Sequence, residues 1–349
     1  MKWWALLIGE LLLLGGALGF VAFGARALGG GRADAWEASG PRHAEDGDPR
    51  VSPFATPARV PLTTTPAGTF TGIKDELLLA PLRTQTVRDV RFNHGGSSVS
   101  LRVTFSDGSR AAFKPLQNNP QTVPRKEIAA YWINRLLGLN SVPPAAARTL
   151  HRDDIFNKLN PESKSYLPRL NRETIFDSEG FTRGEVSYWI PVIVNSRLDD
   201  PQSIEQWTRW LSVGQEIPRN KLALMAQLSS VLVFDLVQNN SDRFSGGNLQ
   251  TSPDGKILYF MDNTFGFQVQ EEGHEKCRIA LGRCQKFSRR LVAALRGFDG
   301  HALRQALESD PGVLSDAEIA AVVARKDVAL GYIDSLIDRY GSERVLVFP

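Results

Sequence analysis

The sequence predicts an α+β protein with a small, β-rich amino-terminal lobe and a larger, helical carboxy-terminal lobe. Short runs of alternating apolar and polar residues, joined by glycine-containing turns, occupy residues 87–115 and indicate strands. Apolar residues at helical spacing mark Lys126–Leu137 and Leu222–Gln238. The composition, 42% hydrophobic and 23% charged, is that of a globular chain long enough for one two-lobed domain.

Residues 1–28 form a separate apolar segment. Trp3–Leu28 contains only two charged residues, Glu10 and Arg26, and about 20 apolar residues are enough to span a bilayer. The length of the run favours an uncleaved transmembrane signal anchor over a cleaved signal peptide, whose apolar core is shorter. Both interpretations predict an exported domain. We expect a single-pass protein facing the periplasm or cell surface of a bacterium, or the Golgi lumen or exterior of a eukaryotic cell.

Residues 29–68 predict a disordered linker, because they are rich in Gly, Pro, Ala and Thr and lack apolar periodicity. The folded domain is then expected over residues 69–349, with an N-lobe over about 69–190 and a C-lobe over about 191–349. The net charge of +3 is slight and no dense Lys/Arg tract occurs, which argues against a nucleic-acid partner. The five histidines are scattered without zinc-ligand spacing.

The N-lobe is predicted to contain three consecutive strands. Val87–Phe92 and Val99–Phe105 are separated by a polar turn that includes Gly95 and Gly96, and Ala111–Pro115 follows a second turn. Glycine lets backbone amides approach phosphate oxygens closely. The two glycines are therefore candidate nucleotide contacts, with an ordinary hairpin turn as the alternative.

Lys114 and Glu127 are candidates for nucleotide binding. Lys114 lies in the last of these strands, and Glu127 lies in the first turn of the helix that follows and ends before Gly138. Kinases use a strand lysine and a helix glutamate to position nucleotide phosphates. The ordinary alternatives are a surface lysine and a glutamate that complements the helix dipole.

Two aspartates and an asparagine follow the long helix Leu222–Gln238. Asp242 and Asn248 lie in a polar, glycine-rich loop, and Asp262 follows the apolar strand Ile257–Met261. Phosphoryl transfer needs a carboxylate that accepts the proton of the acceptor hydroxyl, and hard oxygen ligands for a divalent metal beside the phosphates. We predict Asp242 as the base, and Asp262 and Asn248 as ligands of Mg²⁺ or Mn²⁺. Asx-rich turns are the ordinary alternative.

In combination these motifs resemble the secretory-pathway kinases of the four-jointed and Fam20 type. The similarity runs from about residue 95 to the end, with gaps, and rests on the stretches Phe113–Pro115, Glu127–Arg148, Val233–Arg243, Tyr259–Phe267, Cys277–Cys284 and Arg325–Gly341. The resemblance implies an atypical two-lobed protein-kinase-like fold that binds ATP with Mn²⁺ or Mg²⁺. It implies that Lys114 and Glu127 serve the nucleotide. It also implies that Asp242 is the catalytic aspartate and that Asp262 binds the metal.

The sequence departs from the family pattern in two places. The segment from Lys114 to Glu127 is shorter than in typical members, and Asn248 follows Asp242 by six residues, one more than the usual kinase spacing. The Ala/Arg-rich composition and sparse cysteines suit a bacterial member.

Cys277 and Cys284 are the only cysteines in the chain. Export permits a disulfide between them. One unbroken helix would hold them about 10 Å apart along its axis, too far for a bridge. Gly282 lies between them and is positioned to break such a helix, so the sequence leaves the bridge open.

The sequence therefore predicts an ATP-dependent phosphotransferase that acts on a Ser/Thr hydroxyl of an exported protein or on a glycan hydroxyl. The alternative is a pseudokinase or binding module that regulates an extracytoplasmic partner. A hydrolase is disfavoured because no G-x-S-x-G elbow occurs.

The acceptor is expected to be bound by residues 149–220. Within them, Glu185–Val194 predicts a strand that leads into the inter-lobe hinge. Trp189, Trp207 and Trp210 belong to the same region. They serve either core packing, which the usual burial of tryptophan favours, or a platform for a sugar ring.

Overall fold

The computed structural model describes residues 68–94, 96–245 and 247–349. It confirms the predicted α+β class, with a β-sheet N-lobe and a helical C-lobe. The predicted anchor at residues 1–28 and all but the last residue of the predicted linker lie outside the described residues.

A five-stranded antiparallel sheet forms the frame of the N-lobe. A hairpin of β1 (Thr69–Phe70) and β2 (Ile73–Lys74) and helix α1 (Asp75–Thr84) precede it. The strands of the sheet are β3 (Val87–Phe92), β4 (Leu101–Phe105), β5 (Arg110–Pro115), β6 (Ala145–His151) and β7 (Phe181–Tyr188). Their order across the sheet is β3-β4-β5-β7-β6, so β5 lies beside β7 although helix and strand elements separate them in the chain.

Helix α2 (Arg125–Leu136) lies within one residue of its predicted bounds and packs against β6 and β7. Its first turn is attached to the C-lobe. The guanidinium of Arg125 lies 2.8 Å from the carboxylate of Glu318, and the ammonium of buried Lys126 donates to the backbone carbonyl of Gly266. Between β6 and β7 the chain forms α3 (Arg152–Phe156), a 3-10 helix (Pro161–Tyr166) and α4 (Leu167–Glu173).

Two strand predictions are wrong in their bounds. The strand predicted from Val99 begins at Leu101, because the N–H of Val99 donates to Oε1 of Gln117 (2.7 Å) instead of to a neighbouring strand. The strand predicted over residues 185–194 begins earlier and stops at Tyr188. Pro191 has no N–H to donate to a ladder, and the chain continues into β8 (Val194–Asn195), which joins a different sheet.

The C-lobe combines helices with a small sheet of order β10-β9-β8. Its further elements are α5 (Pro201–Trp210), a 3-10 turn (Arg219–Lys221), α6 (Leu222–Gln238), β9 (Leu249–Thr251), β10 (Leu258–Phe260), α7 (Glu275–Gly282), α8 (Arg289–Gly297), α9 (Gly300–Ala306), α10 (Asp316–Tyr340) and α11 (Ser342–Val345). Within the described ranges, one helical stretch, Arg219–Gln238, has the length and apolarity of a membrane span. However, 61% of its most apolar window is buried in the protein, so core packing accounts for that apolarity.

The cysteines are not bridged: Cys277 lies in α7, Cys284 lies beyond its end, and both are free and buried. Core packing explains two of the tryptophans. Trp207 is buried and its Nε1 donates to the carbonyl of Leu198 (2.9 Å), and Trp210 packs against the core. The structure therefore supports the packing interpretation of this pair over a sugar platform.

Candidate active site

Lys114 lies at the centre of a cluster of charged side chains between the two lobes. Its Nζ is 2.9 Å from Oε1 of Glu127 and 2.8 Å from Oδ1 of Asp262. The lysine comes from β5, the glutamate from the first turn of α2, and the aspartate from the chain just after β10. The structure thus joins three of the predicted site residues, which come from three elements distant in the sequence.

Lys114 and Asp262 each stabilise the charged form of the other. Burial alone would lower the pKa of Lys114, but the carboxylates of Asp262, Glu127 and Glu185 outweigh burial and raise it above its ordinary value. The ammonium of Lys114 in turn holds the pKa of Asp262 below its ordinary value, although burial opposes this. The side chain of Asp262 is 45% exposed, against 9% for Glu127. Asp262 is therefore the carboxylate of the pair that solvent ions can reach.

Asn263 connects the glutamate of α2 to the C-lobe. Its backbone N–H donates to Oε1 of Glu127 (2.9 Å), and its Nδ2 donates to Oε2 (3.0 Å). Its Oδ1 accepts from Nε2 of Gln238 (2.9 Å) and from Nη2 of Arg243 (2.8 Å). Because both ends of this buried amide are engaged, Glu127 has one well-defined orientation.

Arg243 anchors the loop of residues 239–248, which follows α6 (the 239–248 loop). Its guanidinium forms a bidentate pair with Asp235 near the end of α6, with Nε–Oδ2 and Nη2–Oδ1 distances of 3.0 Å each. The guanidinium also donates to the backbone carbonyl of Met261. The side chains of Arg243 and Asp235 are 1% and 5% exposed. Removal of either partner would leave a buried charge without its counter-charge.

Asp242 lies in the 239–248 loop with its carboxylate hydrogen-bonded on both sides. Its Oδ1 accepts from the hydroxyl of Ser245 (2.5 Å), and its Oδ2 accepts from Nδ2 of Asn248 (3.1 Å). Asn240 accepts from the backbone N–H of Asp242 (3.1 Å) and donates to the backbone carbonyl of Asp262 (3.1 Å). Asn240 therefore fixes the backbones of the two predicted aspartates relative to each other.

Asp262 has a backbone φ of 56°, in the left-handed region that residues other than glycine rarely occupy. Such a conformation costs about 1–3 kcal/mol and persists only where the surroundings enforce it. Here the surroundings are the hydrogen bond from Asn240 to its carbonyl and the ion pair with Lys114. Strained residues of this kind concentrate at functional sites.

The donor set suits a hard divalent cation. Across the described ranges, no three His, Cys, Asp or Glu side chains lie close enough to hold a metal by themselves. Mg²⁺ is usually held by one or two carboxylates together with water and phosphate oxygens, and Mn²⁺ accepts the same oxygen ligands. The exposed carboxylate of Asp262 fits that requirement. The structure places Asn248 against Asp242, and its assignment as a metal ligand stays a prediction.

The glycine pair lies in the loop between β3 and β4. Gly96 has a φ of 132°, which suits glycine. Gly95 lies outside the described residues. Their contact with a nucleotide stays a prediction.

Two polar residues of the site were not predicted from the sequence, Asn240 and Glu185. Glu185 is the direct partner of Lys114 in the register of β5 and β7 and is 0% exposed. Burial is the main cause that raises the pKa of Glu185 well above its ordinary value, and the carboxylate of Glu127 is the second. The available signal was a charged residue at an inward position of an alternating strand, which is unusual in a core.

The fold and the site define a protein of the two-lobed kinase architecture, with a lysine and a glutamate in the N-lobe and two aspartates in the C-lobe. No family model matches the chain. The chain is similar to the pseudokinase FAM20A of Mus musculus, with 22% identity over 304 residues that cover 72% of this chain and 56% of that protein. It is also similar to the extracellular serine/threonine protein kinase FAM20C of Homo sapiens, with 33% identity over 89 residues, 22% of this chain and 15% of that protein. The chain thus spans little more than half the length of the first relative.

Solved structures share the fold. The Golgi casein kinase matches with a TM-score of 0.63 and 18% identity, over 78% of each chain. The same kinase with Mn and ADP bound matches with a TM-score of 0.63 and 17% identity, also over 78% of each chain. Hydra Fam20 with sugar matches with a TM-score of 0.59 and 14% identity, over 76% of this chain and 90% of that one.

The predicted resemblance to Fam20-type secretory kinases is confirmed, because the relatives and the structural neighbours named above are of that type. At these identities the solved structures show a shared fold. A bacterial origin stays a prediction.

Proposed function

We propose that the chain is an ATP-dependent kinase that transfers the γ-phosphate to a hydroxyl group of an exported protein or glycan. The observation that carries this proposal is the ammonium of Lys114 between carboxylates from both lobes, Glu127 and Asp262, with Asp242 held in the neighbouring loop. Kinases position ATP with a strand lysine, a helix glutamate and a metal-binding aspartate. The Golgi casein kinase structure with Mn and ADP supports the same ligands here.

In this proposal each residue of the cluster has a separate task. Lys114 binds phosphate oxygens, and Glu127 keeps the lysine oriented. Asp262 holds Mn²⁺ or Mg²⁺, and the bound cation would neutralise charge on the phosphates. Asp242 orients the acceptor hydroxyl and takes its proton. Asn240 keeps Asp242 and Asp262 in a fixed relation, so that the two aspartates are arranged before the substrates bind.

The acceptor is a hydroxyl group outside the cytoplasm. FAM20C is a serine/threonine protein kinase by name, and hydra Fam20 was solved with sugar, so relatives support both a protein and a glycan acceptor. The names of the relatives also refer to the Golgi and to the extracellular space. They support export of this chain, and we propose that residues 1–28 anchor it in a membrane.

A pseudokinase that regulates an extracytoplasmic partner is the second candidate. The similarity to FAM20A, a pseudokinase that matches 72% of this chain, favours it. Retention of Lys114, Glu127, Asp242 and Asp262 in contact or in adjacent loops favours an active enzyme. The two candidates differ in turnover and agree in fold.

The test is phosphoryl transfer from γ-labelled ATP by the purified full chain, with Mn²⁺ or Mg²⁺, to Ser/Thr peptides and to oligosaccharides. Loss of the base in Asp242→Asn is expected to reduce transfer by about 10²–10⁴-fold. Asp262→Asn is expected to abolish the metal-dependent thermal shift produced by ATP. Asp107→Asn, in the exposed turn between β4 and β5, is the matched control and should leave both readouts unchanged.

The outcomes separate the candidates. A metal-dependent thermal shift with ATP but no transfer to any acceptor supports the pseudokinase. Neither a shift nor transfer, in a wild-type chain that unfolds cooperatively, contradicts the active kinase and favours a binding module that does not use ATP.

A further inference from the structure

Glu185 is a buried carboxylate without a task in the mechanism above. Its side chain is 0% exposed, and among the described residues neither carboxyl oxygen makes a hydrogen bond of good geometry. The hydroxyl of Ser187, two residues along β7, is close enough to ease ionisation of the carboxyl, but it is not aligned as a donor. Burial of a polar group without a partner costs about 1–3 kcal/mol, more when the group is charged. The position of Glu185 therefore needs an explanation beyond packing.

Glu185 faces the same space as Lys114. The two residues are directly opposite in the antiparallel register of β5 and β7, and side chains in such pairs lie on one face of the sheet with Cβ atoms about 4.5–5.5 Å apart. The preceding residue is Gly184, where a Cβ would lie 2.4 Å from the carbonyl oxygen of Lys114. The glycine thus permits the close approach of β7 to the backbone of Lys114.

The cluster holds three carboxylates around one ammonium. Glu127 and Asp262 contact Nζ of Lys114 directly, whereas Glu185 does not. Oδ1 of Asp262 is already occupied by Nζ at 2.8 Å. Because like charges repel, the ammonium at this distance opposes a second cation at either oxygen of the carboxylate.

We infer that Glu185 is a positioning residue for Lys114. When a divalent cation binds Asp262, the ammonium of Lys114 leaves that aspartate and pairs with Glu185, which lies beside it on the sheet. Lys114 keeps its contact with Glu127 during this exchange and exchanges one carboxylate for another. The charge of the ammonium is thereby never left without a partner in a buried place. The inference rests on the proposed role of Asp262 as the metal ligand.

The test is a double-mutant cycle on Mn²⁺ binding to the full chain without nucleotide, measured by isothermal titration calorimetry. Glu185→Gln keeps the shape and removes the charge, so Lys114 stays on Asp262, and Mn²⁺ is expected to bind about tenfold more weakly, a coupling of ordinary size for charged neighbours. Lys114→Met removes the competitor. In that background Glu185→Gln is expected to change Mn²⁺ binding by less than about twofold.

Two controls accompany the cycle. Glu179→Gln, at an exposed position just before β7, is the matched substitution and should bind Mn²⁺ as the wild type does. Glu185→Asp retains a carboxylate and is expected to recover part of the affinity that Glu185→Gln loses. Thermal unfolding verifies that each variant is folded.

Three results would overturn the inference. Equal Mn²⁺ affinity of the wild type and Glu185→Gln would mean that Lys114 needs no second carboxylate. A wild type that binds no Mn²⁺ would mean that no cation displaces Lys114 from Asp262. An equal loss of affinity in the Lys114→Met background means that Glu185 acts on the metal directly. Failure of the proposed function can be distinguished from failure of this inference. If Mn²⁺ binding follows the expected cycle but the wild type transfers no phosphate, the kinase activity is disproved and the exchange of carboxylates by Lys114 still holds.

Discussion

Substitution of Arg243 by Met is expected to destabilise the protein by about 3–5 kcal/mol, the usual cost of breaking a buried ion pair from one side. The pair qualifies because the side chains of Arg243 and Asp235 are 1% and 5% exposed and meet through two contacts of 3.0 Å. Met retains much of the apolar volume but leaves the carboxylate of Asp235 buried without a counter-charge. The lost hydrogen bond to Asn263 contributes about 1–3 kcal/mol of that total.

The measurement is urea unfolding of the full chain at pH 7, followed by tryptophan fluorescence. The double variant Asp235→Asn with Arg243→Met removes both charges. It is expected to cost about 1–3 kcal/mol less than the sum of the single variants, because residues of one network are coupled. Arg296→Met is the matched control, because Arg296 pairs with Asp334 at the surface, with side chains 50% and 42% exposed. It should cost less than about 1 kcal/mol.

Single-variant costs that add to within about 0.5 kcal/mol in the double variant would show that the two charges are not coupled. A cost for Arg243→Met no larger than that for Arg296→Met would show that burial does not strengthen the pair. Because Arg243 also donates to the carbonyl of Met261, next to Asp262, the proposed phosphoryl transfer is expected to fall in this variant at temperatures where it is still folded.

Three further predictions concern the N-lobe and its junction with the C-lobe. Arg125→Met is expected to cost about 3–5 kcal/mol in the same urea assay, because it leaves the carboxylate of Glu318, 8% exposed, without the counter-charge of Arg125, although Ser315 still donates to it; an unchanged midpoint would contradict this. Burial and the carboxylate of Glu127 raise the pKa of Glu185 above its unfolded value of 4.5, so the contribution of this group to stability is lost as pH rises from 4.5 towards the folded pKa, by about 1.4 kcal/mol per pKa unit. Relative to the wild type, Glu185→Gln should therefore gain stability from pH 4.5 to 7 without metal, and a constant difference would disprove it. Gly184→Ala should cost about 1–3 kcal/mol through overpacking against β5, and calorimetry that shows an unchanged Tm would exclude the clash.

Elements with strong local patterns were predictable. Helix α6 begins and ends where its apolar spacing indicates, at Leu222 and Gln238, and β3 has its predicted bounds. Strand ends that depend on other parts of the chain were not. Val99 leaves β4 because the side chain of Gln117 takes its N–H. The end of β7 depends on which sheet receives the residues after Pro191.

The same division applies to the site. Lys114, Glu127 and Asp262 were recognisable because each lies at or near the end of a regular element, and the structure joins them. Glu185 could not be assigned, because its role depends on the register between β5 and β7, and no local pattern specifies that register. Asn240 lies in a loop of several Asx residues, where only tertiary contacts determine which side chain bridges to the next strand.

The attachment of α2 limits how this site can be regulated. Arg125, Lys126 and Glu127 each connect the first turn of the helix to the C-lobe. In kinases that are controlled by the position of the glutamate helix, an outward swing separates the lysine from the glutamate. Here such a swing would have to break three contacts at once, so α2 is expected to stay in place against the C-lobe. The contact of the site that can change more easily is the ion pair between Lys114 and Asp262, because the side chain of Asp262 is accessible to solvent. Control of this protein is therefore expected to respond to cation concentration and not to helix displacement.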